Sequence, residues 1–367
     1  MRILQISSAS SFGGGERYLV DLANSLQARG HELYLALRPN SPLTSHLRVP
    51  LQNIKTLPLR NALDVQSARS LAQIVKQQEI EVIHAHMARD YSLAAYAARS
   101  FPQPKFIVTR HVLFPLNRFH RRTLLKATKV IAVSKAVARQ LTDQRIVSTE
   151  KIAVVPNGIE VDRYASACRN FDRAAFLKRK GLPGDCLLVA SIGELRKLKR
   201  HGDLIRAASI VSAEIPNAHF VIAGVDTSPR GENYKELVEL VSELKLTERV
   251  KLLGWLEDAE QLLCAVDVFV SASETESFGL SIAEAMAAGT AVVATSTEGA
   301  QEVVRDQLSG MLVPIGDVEQ IAAAIIQLLK DEELRKNMGQ RAAVEAGSRF
   351  SLSRMVDDIE GIYLESQ

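Results

Sequence analysis

The chain has 367 residues, more than one hydrophobic core usually holds, so two domains are expected. With 47 % hydrophobic and 24 % charged residues it has the composition of a soluble globular protein. A formal net charge of +3 is too small to imply nucleic acid as a partner, and no apolar run approaches the roughly 18 residues of a membrane span.

In chain order, short β-branched runs alternate with longer amphipathic stretches, the pattern of βαβ units and parallel sheets. The first half offers RILQIS (2–7), ELYLAL (32–37), NIKTLPL (53–59), EVIHAH (81–86), KFIVT (105–109), KVIAVS (129–134) and KIAVVP (151–156) as strands. Between the first two, Leu19, Val20, Leu22, Ala23 and Leu26 recur at helical spacing and Gly30 supplies the stop. The second half restarts with CLLVASIG (186–193), HFVIAG (219–224), RVKLLG (249–254), DVFVSAS (267–273), TAVVAT (290–295) and GMLVP (310–314). Residues 157–185 between them hold no strong strand and read as the hinge. The expected fold is α/β: doubly wound parallel-sheet domains at 1–165 and 166–345 facing across a cleft, and a terminal helix in 346–367 that crosses back to the first domain. Ligands of such sheets bind at the carboxyl ends of the strands.

Cys168, Cys186 and Cys264 stand far apart and fit no zinc or redox spacing. Reduced, mostly buried thiols in a cytosolic protein are the expectation. The N-terminal MRILQISSAS reads as a first strand, since it lacks the basic region, long apolar core and cleavage site of a secretory signal.

Three stretches carry chemistry. After the first strand, Gly13, Gly14 and Gly15 let the backbone approach a ligand, and the following helix presents N–H groups to an anion. A plain strand-to-helix turn also accounts for them. The dinucleotide fingerprint is missing, since Tyr18 stands where its third glycine would be and LRPN ends the second strand without the acid that holds a ribose. At the head of the second domain, Arg196, Lys197, Lys199 and Arg200 follow the strand ending at Gly193. They suit a diphosphate at the strand's carboxyl end, or they form a solvated charge run. Third comes ETESFGLSIAE (274–284). Glu276 sits in the loop after DVFVSAS and Glu284 lies one to two turns into the next helix, so the two acids can aim at two ends of one ligand. The N–H groups of Phe278 to Ser281 between them open a helix, a ready anion site.

The Glu276-x7-Glu284 element, with Ser277-Phe278-Gly279-Leu280 inside it, resembles the signature of retaining GT-B glycosyltransferases of family 4. The rest agrees in order: Gly13-Gly14-Gly15-Glu16, VTRH ending at His111, IAVSKAVARQL, VVPNGIE, the Lys199 loop, DVFVSAS, EAMAAG, GAQEVV and GMLVP. The resemblance covers nearly the whole chain. It implies that Glu284 accepts hydrogen bonds from the ribose of a nucleotide-sugar and that Glu276 holds hydroxyls of the transferred sugar. Backbone N–H groups of Phe278, Gly279 and Leu280 then meet sugar and phosphates, Lys199 meets the diphosphate, Gly14 and Gly15 close over it, and His111 lies beside the reacting carbon. In one departure, Glu194 follows Gly193 where the family commonly has arginine. Arg196 is the expected substitute.

The implied activity is transfer of a sugar from a nucleoside diphosphate donor to a hydroxyl of a glycan, lipid-linked saccharide or lipopolysaccharide-type acceptor, with retention. Catalytic roles fall to Glu276, His111, Lys199 and Arg196. The sequence has no Asp-x-Asp, the usual metal–diphosphate clamp of the other main transferase fold, so no cofactor and no metal are expected. A sugar-nucleotide epimerase and a non-catalytic nucleotide-sugar binder remain as alternatives. Three further features stay open. His84 and His86 share one face of a strand, as core packing or site lining, without a third metal ligand nearby in sequence. Trp255 either lines a base pocket or packs. Arg110 to Lys129 carries six Lys/Arg and no acid, interleaved with Leu and Phe. That suits an anionic membrane surface or a phosphorylated acceptor, or a solvated helix face, and gives a cytoplasmic protein peripheral at a membrane as the expected location.

Overall fold

The computed structural model describes residues 1–100, 103–169 and 171–365. It forms two compact units, Met1–Gly158 with Leu352–Gln367, and Ile159–Ser351. The sequence reading divides the chain at 165/166 and 345/346; the compact units divide after Gly158 and after Ser351.

The first unit is built on seven parallel strands: β1 (Arg2–Ser7), β2 (Glu32–Leu37), β3 (Ile54–Thr56), β4 (Val82–Ala85), β5 (Lys105–Arg110), β6 (Lys129–Ala132) and β7 (Ile152–Val154). They lie in the order β3-β2-β1-β4-β5-β6-β7. Strand alternation sends successive side chains to opposite faces. Leu4, Ile6, Ile83 and Val108 therefore join one core, with helix Val65–Gln77 and its neighbours. Ile3, Val82, Ile107 and Ile131 join the other. That second core is closed by the helix Gly14–Ala28, through Leu19, Leu22, Ala23 and Leu26, and by the terminal helix Leu352–Glu365, through Met355, Val356, Ile359 and Tyr363. Gly30 ends the first of these helices at φ +86°, a conformation that favours glycine.

The second unit repeats the plan with β8 (Leu187–Ile192), β9 (Ala218–Ala223), β10 (Val250–Gly254), β11 (Val268–Ser271), β12 (Ala291–Thr295) and β13 (Met311–Val313), in the order β10-β9-β8-β11-β12-β13. Both sheets reverse their winding direction once, between β1 and β4 and between β8 and β11. At such a point the connections leave in opposite directions and open a crevice at the strands' carboxyl ends.

The cysteines depart from expectation. Cys168, on helix Val161–Arg169, is disulfide-bonded to Cys264, on helix Ala259–Ala265, with Cα atoms 5.1 Å apart. Their separation of 96 residues hides the pairing in sequence; the packing of the two helices creates it. Cys186 stays free and buried. Among the described residues no helix is long and apolar enough to cross a membrane.

Candidate active site

In the second unit the two loops flanking the β8/β11 reversal meet. Gly193 leaves β8, and a short 3-10 turn, Lys197–Lys199, swings Lys199 back beneath it, so that a side chain on Gly193 would touch the Lys199 stem at 3.5 Å. Lys199 Nζ donates to Glu276 Oε1 at 2.5 Å. Ser273 Oγ, just past β11, donates to the same oxygen at 2.7 Å. Glu276 therefore holds a fixed direction although it sits in a loop.

The turn ends at Arg200, whose φ of +48° is unusual for a residue with a side chain. Its guanidinium is engaged by Asp203 at 2.6 Å and by Glu274 at 3.7 Å. Glu274 is thus a structural partner of the cationic loop. Lys197 pairs with Glu236. Lys199 alone of these cations reaches Glu276.

Gly279 precedes helix Leu280–Ala287 at φ +101°. This left-handed residue turns the chain so that the helix starts at Leu280, leaving Ser277 and Phe278 as the approach. Phe278 is buried and packs edge-on against Phe350, with ring centres 5.3 Å apart. Glu284 is buried on the same helix. The approach is pinned from outside by Gly299, whose N–H donates to the Glu276 carbonyl at 3.1 Å. A Cβ there would lie 2.5 Å from that carbonyl oxygen and 2.8 Å from Phe278 N.

In the first unit the loops beyond β1 and β5 also converge. Gly13 caps the helix Gly14–Ala28, its N–H donating to Glu16 Oε2 at 3.0 Å. A side chain on Gly15 would rest on the His111 ring, 3.5 Å from Cγ. Behind His111 stand His86, with Nδ1 3.4 Å from His111 Nε2, and Tyr18, edge-on with ring centres 4.7 Å apart. Burial lowers His84 and His111 from the ordinary 6.5 to about 3, with the charge of Arg110 a second cause at His111, and it holds His86 well below the usual range. All three rings are neutral at pH 7.

Sequence profiles match both halves of the chain: that of Glycosyltransferase Family 4 over residues 12–163 and that of Glycosyl transferases group 1 over 172–344. The chain is 30 % identical, over 94 % of its length and 94 % of the relative's, to the lipopolysaccharide core biosynthesis glycosyltransferase LpsE of Rhizobium meliloti. It belongs to glycosyltransferase family 4. The glycosyltransferase is also 28 % identical to N-acetyl-alpha-D-glucosaminyl L-malate synthase of Bacillus anthracis, over 98 % of this chain and 96 % of that one. Its fold matches Alr3699/HepE of Anabaena, solved in complex with UDP-glucose, at a TM-score of 0.86 with 23 % identity over the full length of both chains. The fold is GT-B.

Of the residues singled out in the glycosyltransferase sequence, Lys199 and Glu276 are in direct contact, and Gly15 and His111 abut. Arg196 goes elsewhere. It is half exposed, and its guanidinium lies 3.4 Å from Glu194, the acid standing where the family commonly has arginine. Trp255 is 54 % exposed and does not pack in a core. His84 and His86 are buried, with ring centres 4.2 Å apart, each engaged by protein groups. Ser273 and Gly299 were missed as site residues. Ser273 lies in the run DVFVSAS, where strand alternation from buried Ser271 was the available signal. Gly299 opens the GAQEVV run of the resemblance, which marks the position without saying what it touches.

Proposed function

We propose that this family 4 enzyme transfers a sugar from a nucleoside diphosphate donor to an acceptor hydroxyl with retention at the anomeric carbon. The contact between Lys199 and Glu276 at the β8/β11 reversal carries the reading. It sets a cation suited to a leaving diphosphate against a carboxylate suited to sugar hydroxyls and to positive charge at the sugar. Glu284 takes the ribose, and the N–H groups of Phe278, Gly279 and Leu280 meet sugar and phosphates. Gly13, Gly14, Gly15 and His111 of the first unit act on the diphosphate and the sugar.

The step is a front-face displacement. The bond from the anomeric carbon to the diphosphate oxygen breaks, the acceptor oxygen bonds to the same face, and the acceptor's proton passes to the departing phosphate oxygen. No protein nucleophile takes part. Lys199 and the N-terminus of helix Leu280–Ala287 stabilise the negative charge that develops, so the reaction is proposed to need no metal.

The acceptor is proposed to be anionic and to serve polysaccharide or lipopolysaccharide assembly. One relative is named for L-malate, a dicarboxylate, and another for the lipopolysaccharide core. The segment after β5 supports this reading. Arg121, Arg122 and Lys126 are exposed there beside Phe114, Phe119 and Leu125, which are 55 %, 43 % and 53 % exposed. Arg110 takes no part, being buried with its guanidinium donating to the Phe114 carbonyl. The exposed mixture of cations and apolar groups also suits peripheral binding to an anionic membrane.

The deciding experiment is a thermal-shift screen of nucleoside diphosphates and their sugars, followed by product analysis with the stabilising donor. A bound donor raises apparent stability with the logarithm of its excess over Kd. Release of nucleotide and a product of the donor's anomeric configuration are expected. An altered sugar without nucleotide release would reassign the enzyme as an epimerase, and binding without turnover would reassign it as a binder. Sedimentation with vesicles containing anionic lipid tests the membrane surface; absence of binding at low salt would remove it.

A further inference from the structure

A chain of hydrogen bonds runs from the terminal helix to His111, and the transfer step as proposed leaves it unused. Tyr363 is fully buried beneath the sheet. Its hydroxyl is 2.6 Å from His84 Nδ1 and receives a hydrogen bond from Gln5 Nε2 at 3.3 Å. Gln5 Oε1 is 2.6 Å from His86 Nε2, and His86 Nδ1 is 3.4 Å from His111 Nε2. His84 Nε2 reaches Thr109 Oγ1 at 2.7 Å, and Thr109 Oγ1 lies 3.3 Å from the Tyr18 hydroxyl. The far nitrogen of His111, Nδ1, is buried and has no hydrogen-bond partner among the described residues.

Each neutral histidine has one hydrogen to donate and one lone pair to receive, so the ends of the chain are linked. With its amide donating to Tyr363, Gln5 can only accept from His86, which puts the His86 hydrogen on Nε2. His86 Nδ1 then accepts, so the His111 hydrogen stands on Nε2 and its Nδ1 is a bare lone pair. The Tyr363 hydroxyl accepts from Gln5 and has its own hydrogen to place; donating it to His84 Nδ1 puts the His84 hydrogen on Nε2, towards Thr109. Turning the Gln5 amide around would reverse every one of these bonds and leave a buried N–H on His111 Nδ1 without an acceptor. Orphaned N–H groups are rarer in proteins than orphaned acceptors.

We infer that Tyr363, acting through Gln5 and His86, is a positioning residue that fixes the tautomer of His111 and makes its Nδ1 a hydrogen-bond acceptor. The consequence rests on the transferase reading: His111 then receives a hydrogen from a hydroxyl of a bound sugar and cannot donate one. The terminal helix, which brings Tyr363 to β1 and β4, is thereby part of the site's chemistry as well as of its core.

Nitrogen-15 correlation spectra of the full-length protein, with histidine labelled and His111 assigned by substitution, test this at pH 7. Hydrogen on Nε2 and a bare Nδ1 are expected for His111. In Tyr363→Phe the two signals should move towards a tautomer mixture, and Gln5→Leu, which cuts the chain at its next link, should do the same if the phenylalanine variant fails to fold. Kinetically, Tyr363→Phe should lower kcat about fivefold, the worth of one neutral hydrogen bond, with donor KM within about twofold. Added to His111→Ala it should cause no further fall, because both act through one ring. Hydrogen on Nδ1 in the wild type, an unchanged spectrum in both variants, or an additive fall would overturn the inference. The expected tautomer in a chain that transfers no sugar would overturn the functional reading instead.

Discussion

Lys199 Nζ and Glu276 Oε1 stand 2.5 Å apart across the β8/β11 reversal, joining loops 77 residues apart in sequence. The pair is partly exposed, with Lys199 at 27 % and Glu276 at 11 %. An ion pair so placed contributes about 1 kcal/mol or less to stability, so its value lies in what each group does to a substrate. Lys199→Ala is expected to fold normally and to lose about 10² to 10³ in turnover, the usual cost of one charge-stabilising group. Turnover within a few-fold of wild type would refute the diphosphate role.

Glu284 makes a different contribution. It is buried on helix Leu280–Ala287, one side of the loop that Glu276 occupies. If it holds the ribose, Glu284→Ala weakens donor binding, by about 1.5 to 3 kcal/mol for hydrogen bonds to a charged group. Calorimetry with the nucleoside diphosphate alone reads this directly. An unchanged affinity would remove Glu284 from the donor site.

Gly299 fixes the loop from behind. Gly299→Ala would drive its Cβ to 2.5 Å from the Glu276 carbonyl oxygen and 2.8 Å from Phe278 N, both backbone atoms that cannot rotate away. The loop must shift, and misplacement of about 1 Å in a catalytic array costs on the order of 100-fold in rate. Gly184→Ala, with no heavy atom within 4 Å of the added methyl, is the control and should be silent. Equal activities for the two variants would show that the approach of helix Leu280–Ala287 need not be held this closely.

These contacts mark what sequence can and cannot disclose. Strands buried on both faces appear as continuous apolar runs, so RILQIS and DVFVSAS are visible as strands before any fold is known. Alternation likewise puts His84 and His86 on one face, as found. Spatial order is another matter. Nothing in the runs states that β8 lies between β9 and β11, and only that order brings Lys199 to Glu276. The same holds for Tyr363, which meets His84 from 279 residues away. The run Arg110 to Lys129 looks uniformly basic, yet Arg110 turns inward because the Phe114 carbonyl accepts its guanidinium.

The disulfide offers a test at the level of stability. Cys168 and Cys264 tie two helices of the second unit across 96 residues of chain, and a bridge closing a loop of that size typically adds about 2–4 kcal/mol by restricting the unfolded ensemble. Thiol titration after unfolding without reductant should find one free cysteine, Cys186, and three after reduction. Cys168→Ser with Cys264→Ser should lower Tm by several degrees in non-reducing buffer and leave Tm in reducing buffer nearly unchanged. Three reactive thiols in unreduced, unfolded protein would exclude the bridge.

The histidine cluster predicts the direction of the pH response. His84 is fully buried and is held down to about 3 by burial first and by the neighbouring His111 second. Below pH 6.5 the unfolded chain protonates this histidine while the folded one does not, so stability is whole above 6.5 and falls as pH drops towards 3. At pH 5 the loss from His84 is about 2 kcal/mol relative to pH 7. His86 and His111 act in the same sense. Asp90 opposes them, because burial raises its carboxyl to about 6 and the folded chain takes up that proton first. Tyr18 and Tyr363, raised by burial, stay neutral throughout. A variant comparison separates the contributions: between pH 7 and pH 5, urea unfolding of His84→Asn should lose about 2 kcal/mol less stability than the wild type. The same pH dependence in both proteins would mean that His84 is protonated in the folded chain, and the hydrogen-bond chain through Tyr363 would then have to be reassigned.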